Sequence, residues 1–594
     1  MPVAILALLF TSSFAPAATY GDVEVTLKSE PHGSAFHGYA EIEFLVVNRS
    51  AQASREVRVT YPKASYSYGG DHLRAVSRTV TVEAGKRVRV SIAYPERLDL
   101  RGNGAGVTID GREYEDVIPV GSGSGRRGYP SGSYRGSGSQ AIALFSKSVD
   151  TRFPDWVNRA QMELQAEGKS FSANVFRADQ DAAQWSTNWL GYTRYDGVVV
   201  TDADLRAMPA EVRNALGQYV ECGGSLFVFG RDPLLPGTWK LTPDPRSSVS
   251  VATPGFGQCV VTNQTDLSRS PEIVLGPALE SWNGTATPWQ RVRAPSEANR
   301  AFPVVEDVGI PVKGLLVLML VFVIVIGPVN LLVLARKKRK LWLFWTVPVI
   351  SFFTCLTVLG YMALTEGWQG RSRVEGFTVL DENSRRASTL GWTGFYTPLL
   401  PSGGLHFSPE TEVSYQNGED RYSYSRRGSG SALTIDWTRE QHFASGWLTP
   451  RVPAHFALRK SELRRERMTI SKGADGSVEA VNGLGADLSE FWYLDEGGNM
   501  FRADAIPAGA RVTLQPAKRP TVAAGAKGLR GVYTGDWATL PDRVKSEGPA
   551  MLAPRTYLGM MESAPFLDDG MPGASVRKTR SLVYGILKEG GDGS

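Results

Sequence analysis

A chain of 594 residues exceeds what one hydrophobic core supports and is expected to divide into about three or four domains. A net charge of +5, with charged residues at 21% and no strongly basic domain, excludes a nucleic-acid footprint. Three cysteines in so long a chain exclude a disulfide framework or a zinc ribbon, and six histidines are few.

Residues 1–18 carry an apolar run from Val3 to Phe10 followed by Ala15, Pro16 and Ala17. This is the apolar region and cleavage pattern of a secretory signal peptide, here with no Lys or Arg in front of it. From 19 to 120 the segments VEVTL, YAEIEFLVV, REVRVTY and RTVTVEAGKRVRVSI alternate with period 2, and Asp110-Gly111 reads as a hairpin turn. The expectation is a small antiparallel β-sandwich. The stretch GSGSGRRGYPSGSYRGSGS at 121–139 is low in complexity and leads into a strand. It therefore reads as a flexible linker that lets the first β region reach over the next domain, and not as a phosphate loop.

From 140 to 307 the period changes: AIALF, a helix near 154–164, FSANVF, YDGVVVT, an amphipathic helix carrying Val212, Ala215, Leu216, Tyr219 and Val220, then SLFVFG. Strands alternating with helices predict a parallel sheet. Within it Cys222, in QYVECGGSLFVFG, invites the reading of a nucleophile. A nucleophile needs a base within reach, yet no His occurs between His72 and His406. The last turn of a helix also disfavours a thiolate. Cys222 therefore reads as a small buried apolar residue, with a disulfide to Cys259 as the alternative and catalysis as the third reading. Asp202 and Asp204 end the third strand, where open α/β sheets bind ligands, although such residues also cap the following helix. Together with Arg231 and Asp232, after the fourth strand, they outline a candidate crevice for a ligand or partner. His32 and His37 flank a Gly-rich loop and read as surface residues, a metal site being the sharper alternative.

Two apolar runs follow, 314–335 and 341–364, each long enough to cross a bilayer core. Between them stand Arg336, Lys337, Lys338, Arg339 and Lys340, while Glu306, Asp307 and Glu366 flank the outer ends. The positive-inside rule puts that loop in the cytoplasm and both large regions on the other side, in the cytoplasmic (inner) membrane. Pro328 and Asn330 in the first run read as helix-packing features, and Cys355 in the second as lipid- or helix-facing bulk. Residues 371–594 return to β character, with SVEAVNGLGADLSEFWYLDEGGNMFRADAIPAGARVTLQP holding two strands around a Gly-Gly turn. A second β-sandwich is expected, with a tail of loop and helix ending in a strand.

YDGVVVT, the amphipathic helix, the Gly223-Gly224 stop and SLFVFG resemble the class I glutamine amidotransferase-like fold, a flavodoxin-like α/β domain, over about residues 140–265. In that family the nucleophile lies on a turn after the strand; here SLFVFG runs into Arg231-Asp232-Pro233 without Cys, Ser or Thr. Over nearly its full length, most tellingly in IPVKGLLVLMLVFVIVIGPVN and VNGLGADLSEFWYLDEGGNMF, the chain resembles a family of uncharacterised bacterial envelope membrane proteins with a degenerate amidotransferase-like domain. The resemblance implies a non-catalytic protein without a cofactor or metal that binds a protein partner or small envelope ligand. It also implies a link to a MoxR-type ATPase and von Willebrand-type membrane system. The alternative is a cysteine-dependent amidase or hydrolase whose base comes from the C-terminal region through His406, His442 or His455.

Overall fold

The structure is a computed structural model that describes residues 17–31, 35, 37–64, 72–95, 104–120, 141–245, 247–289, 295–305, 312–366, 369–416, 432–473, 476–520, 548–574 and 576–588. The expected signal peptide, but for its last two residues, and the Gly/Ser-rich linker lie outside them, as does His32. The protein is mixed α/β, with four sheets among the described residues and two long apolar helices.

Strands Ala17–Tyr20, Val23–Ser29, Tyr39–Asn48 and Arg87–Pro95 form an antiparallel sheet in that order. Alternation in the sequence becomes alternation in burial: Ile42, Phe44 and Val46 point into the core while Glu43, Leu45 and Val47 are half-buried. A second sheet runs Leu405–Phe407, Gln441–Ser445, Ala432–Asp436, His72–Val82, Arg55–Tyr61, Ala105–Ile109, Arg112–Ile118. Its first three strands come from beyond the apolar helices. The junction is parallel, Ala432 to Asp436 lying beside His72 to Ser77. Side chains reinforce it, with Trp437 Nε1 donating to the Ala93 carbonyl at 2.7 Å and Tyr39 Oη to Gln441 Oε1 at 2.6 Å. The first β region is thus built into the C-terminal one by backbone pairing, which differs from the loosely tethered unit expected of a Gly/Ser linker.

The third sheet carries five parallel strands in the spatial order Ala173–Arg177, Ala141–Phe145, Gly197–Thr201, Ser225–Phe229, Gln258–Thr262, extended by Val249–Ala252 and Thr242–Pro243 antiparallel. Parallel strands covered on both faces need continuous apolar runs, and SLFVF is buried throughout. Helices Phe153–Ala166 and Pro271–Trp289 cover one face around Trp156, Phe227 and Trp282. Helix Ala210–Glu221 covers the other with Val212, Leu216 and Val220.

The eleven strands of the fourth sheet all lie beyond the apolar helices. Within it Arg371–Asp381 and Arg386–Tyr396 pair antiparallel over their full lengths, the former also parallel to Val576–Ile586 and the latter antiparallel to Ala454–Leu463. The Gly-Gly turn joins Leu488–Leu494 to Met500–Ala503 in antiparallel register. In the tail, where loop and helix were expected before the last strand, TYLGMM is instead a strand, Thr556–Met561, paired between Leu488–Leu494 and Val576–Ile586. The only helical turn described there is Gly548–Met551; Tyr557, Leu558 and Met561 bury better against a sheet already present.

Two helical segments are long and apolar enough to cross a membrane, Leu316–Arg336 and Leu343–Tyr361. The first contains a π-turn at Val325–Val329 around Pro328, whose missing N–H breaks the regular ladder. Directly after it, Asn330 Nδ2 donates to Thr346 Oγ1 of the second helix at 2.9 Å, tying the pair together. Their outward faces, with Leu320, Phe352 and Phe353, are exposed.

Candidate functional site

The carboxyl ends of the parallel strands bring together part of the expected crevice. Strand Gly197–Thr201 stops because Thr201 caps helix Asp202–Ala207, with Asp204 returning the bond to the Thr201 backbone in a capping box. Asp204 is buried, and its carboxylate accepts from Ser146 Oγ at 2.5 Å, Ser148 Oγ at 2.7 Å, Thr201 N at 2.9 Å and Thr201 Oγ1 at 2.9 Å. Three of these donors converge on Oδ2 and Ser148 alone reaches Oδ1, so the carboxylate is committed to holding the ends of two strands together. Asp202 instead is half-buried and pairs with the exposed Arg206 at 3.3 Å, whose other nitrogen donates to the Asp232 carbonyl at 2.8 Å. Arg231 and Asp232 are exposed. The rim of mixed charge therefore comprises Asp202, Arg206, Arg231 and Asp232, with Asp204 beneath it. Beside it opens a cavity of about 280 Å³ of mixed lining, with Leu205, Leu216, Leu226 and Trp239 next to Arg213 and Asn214.

Cys222 caps the C-terminus of helix Ala210–Glu221 and is fully buried. Burial pushes its thiol far above the ordinary range, and the nearby Glu221 and Glu412 add to this against Arg459 and Arg386. Cys259 is also buried and raised. Both are free thiols, so the disulfide alternative is not the arrangement seen. Cys355 lies exposed on the second apolar helix.

What surrounds Cys222 is a polar seam that the sequence reading missed. Arg459, on strand Ala454–Leu463, forms a buried ion pair with Glu412 and also reaches the Cys222 carbonyl at 3.5 Å. Arg386 meets Glu221 at 3.1 Å, and Gln218 Nε2 donates to the Ser461 carbonyl at 3.3 Å. The helix end thus docks on the fourth sheet through charge. The signal in the sequence is Arg459-Lys460 inside AHFALRKSEL, where a strand otherwise reads apolar.

Burial lifts the Glu221 carboxyl to about 7, more than the attraction of Arg386 and the contact with Trp239 pull it down. Its folded value lies above its unfolded one, so it contributes stability below about pH 4.5 that is lost as pH rises through 7. Between pH 4.5 and 7.5 the wild type is expected to lose about 2–3 kcal/mol relative to Glu221→Gln. Denaturant titrations of both proteins across that range check this: parallel pH curves would refute it.

Neither His37 nor the C-terminal histidines come to Cys222. His37 is buried, correcting the expectation of a surface residue, and its Nε2 lies 2.9 Å from Asp196 Oδ1. Asp196 also accepts from the Ile142 backbone at 2.8 Å, so this pair joins the first sheet to the parallel one. His406 and His442 stack at 4.4 Å, each bonded to the Gly403 carbonyl, with Glu440 at 2.6 Å from His406. His455 is buried against the Phe302 carbonyl, and burial lowers it to about 4. It stands four residues from Arg459 on one strand, about 13 Å along it, with Arg459 and not His455 bonded at Cys222. Among the described residues no cluster of three His, Cys, Asp or Glu is placed to hold a metal. Arg336 to Lys340 form the short connection between the apolar helices, where Arg339 stacks on Trp342 at 5.2 Å.

No protein-family model matches the chain, and no curated protein does. Among solved structures it is similar in part to a β-glucosidase from Listeria innocua crystallised in complex with gluconolactone, at 20% identity and a TM-score of 0.11 over 16% of this chain and 15% of that one. The chain thus spans about 15% of the length of that enzyme. It is also similar to the yeast delta-COP-I mu-homology domain, at 6% identity and a TM-score of 0.18 over 36% of this chain and 94% of that one. Likenesses at such scores carry no argument about function.

Proposed function

We propose that the chain is a non-catalytic, membrane-anchored envelope protein that binds a protein partner or a small envelope ligand through regions outside the cytoplasm. The observation that carries this reading is the division of labour at the parallel strand ends. Asp204 is spent on Ser146, Ser148 and Thr201, and Cys222 is sealed under the Arg459–Glu412 pair. What remains accessible is a charged rim beside a cavity with both apolar and polar lining, a surface suited to binding. Taken in chain order the parallel strands lie 2-1-3-4-5, an order that supports the flavodoxin-like, amidotransferase-like reading. The shared core of the first and second sheets, with Ile42 and Phe44 from one and Val57 and Val76 from the other, supports the N-terminal β-sandwich reading. The basic run from Arg336 to Lys340 favours a cytoplasmic loop, with a signal peptide delivering the N-terminal region to the other side of the inner membrane. A link to a MoxR-type ATPase and von Willebrand-type system belongs to the same proposal and follows from the family resemblance.

Charge reversal of Asp202 and Arg231 together is expected to weaken crosslinking to the partner in native membranes without unfolding the protein, since exposed pairs contribute only about 0–1 kcal/mol. Unchanged recovery of every crosslinked partner moves the interface to the β regions. Cys222→Ser is expected to leave any phenotype intact and to shift stability by about 1 kcal/mol. Loss of function at normal protein levels would favour the cysteine-dependent hydrolase.

A further inference from the structure

We propose that the turn at 397–404, together with the turn at 449–452, rests on the lipid headgroup layer of the bilayer that holds the two apolar helices, with Leu399, Leu400 and Val452 entering it. The inference rests on those helices crossing a membrane and is independent of what the crevice binds.

Chain connectivity places the turns. The second helix ends at Glu366 and strand Arg371–Asp381 begins five residues later, a reach of no more than about 18 Å. Arg371 is paired with Tyr396, so the residues following Tyr396 leave the sheet at its helix-proximal end. A side chain on Gly370 would touch Thr397 and Met571, which fixes that neighbourhood directly. The chain into the first helix arrives at the same end. Val304 packs against Gly394, and Phe302 is held by His455, beside the Phe395–Ala454 pair.

At this end the surface changes character. Leu399 and Leu400 are each 59% exposed, side by side between Pro398 and Pro401. The neighbouring turn, bonded to the first through Arg451 N and the Thr397 carbonyl at 2.8 Å, presents exposed Val452 and Arg451. Apolar tips with an adjacent guanidinium suit the interface of a bilayer carrying anionic headgroups. Single exposed leucines are ordinary; the argument lies in their position. The same strands supply the comparison, because Leu463, 71% exposed, pairs with Arg386 at the opposite end of the sheet, about 30 Å further from the helices.

The test uses the full chain with Cys355→Ser, which leaves only the buried Cys222 and Cys259, reconstituted into phosphatidylcholine–phosphatidylglycerol vesicles. Single variants Leu400→Cys, Leu463→Cys and Phe352→Cys carry a nitroxide, and collision with oxygen is compared with collision with a water-soluble nickel chelate. The expected oxygen-to-nickel ratio is highest at Phe352, several-fold above Leu463 at Leu400, and lowest at Leu463. Leu400 matching Leu463 while Phe352 stays lipid-like overturns the proposal. So does protection of Leu400 from both collision partners, which would mean protein covers it. A water-like Phe352 removes the membrane-spanning reading itself and is recognisable as that separate failure.

Discussion

Replacing Arg459 by methionine is expected to destabilise the protein by about 3–5 kcal/mol, among the largest losses any single substitution should cause. Arg459 and Glu412 are cross-strand neighbours, 4% and 2% exposed, and Arg459 also bonds the carbonyl at the end of helix Ala210–Glu221. Methionine keeps most of the volume but strands the Glu412 carboxylate in a site with little water, where its desolvation is no longer offset. Converting both partners, Arg459→Met with Glu412→Leu, should recover most of the loss, since an apolar pair has no desolvation to offset. As a contrast, Arg49→Ala breaks the surface pair with Glu24 and should cost under about 1 kcal/mol. Thermal and denaturant unfolding in detergent distinguish these outcomes. A single-variant loss no larger than that of Arg49→Ala would mean the seam is hydrated.

Gly38→Val is the second expected large loss, above about 3 kcal/mol. Gly38 has φ near +73°, and a side chain there would clash with the Thr193 carbonyl and the Arg194 nitrogen, which are backbone and cannot swing aside. Its neighbours hold the same junction, His37 on Asp196 and the Tyr39 nitrogen on Thr193 Oγ1 at 2.9 Å. The first sheet should therefore separate from the parallel one before either unfolds, exposing the segment 188–196 to protease. Gly21→Ala provides the control: φ is near +65° but the space is empty, so only the backbone term of about 1–2 kcal/mol applies. Equal losses at the two positions would contradict the packing argument.

Local periodicity made much of this fold readable. Val23, Val25 and Leu27 are buried as VEVTL predicts, helix Ala210–Glu221 buries the face its spacing names, and the two apolar runs are the two long apolar helices. Partnership between distant segments was not readable. ALTID has the pattern of any half-buried strand, and nothing in it says that its edge belongs beside HLRAVS. The seam around Cys222 was hidden for the same reason, since an Arg inside a strand has meaning only once Glu412 stands opposite. At the crevice, Asp202 and Asp204 look equivalent in VVVTDAD. Their separation into a rim carboxylate paired with Arg206 and a buried one held by four donors depends on Ser146 and Ser148, some 55 residues earlier.

The parallel pairing of His72–Val82 with Ala432–Asp436 also sets the order in which the chain can be completed during biogenesis. The partner strand is made about 360 residues later and after both apolar helices, a delay of roughly 20–70 s at ordinary synthesis rates. Throughout that interval one edge of a four-stranded array is open to strands of other chains. Arg74 and Arg78 lie on that edge strand, and such charges discourage promiscuous pairing while the wait lasts. Truncation between the apolar helices and residue 432 therefore leaves an N-terminal fragment with a permanently unsatisfied edge, so nascent chains stalled there should aggregate through their first half.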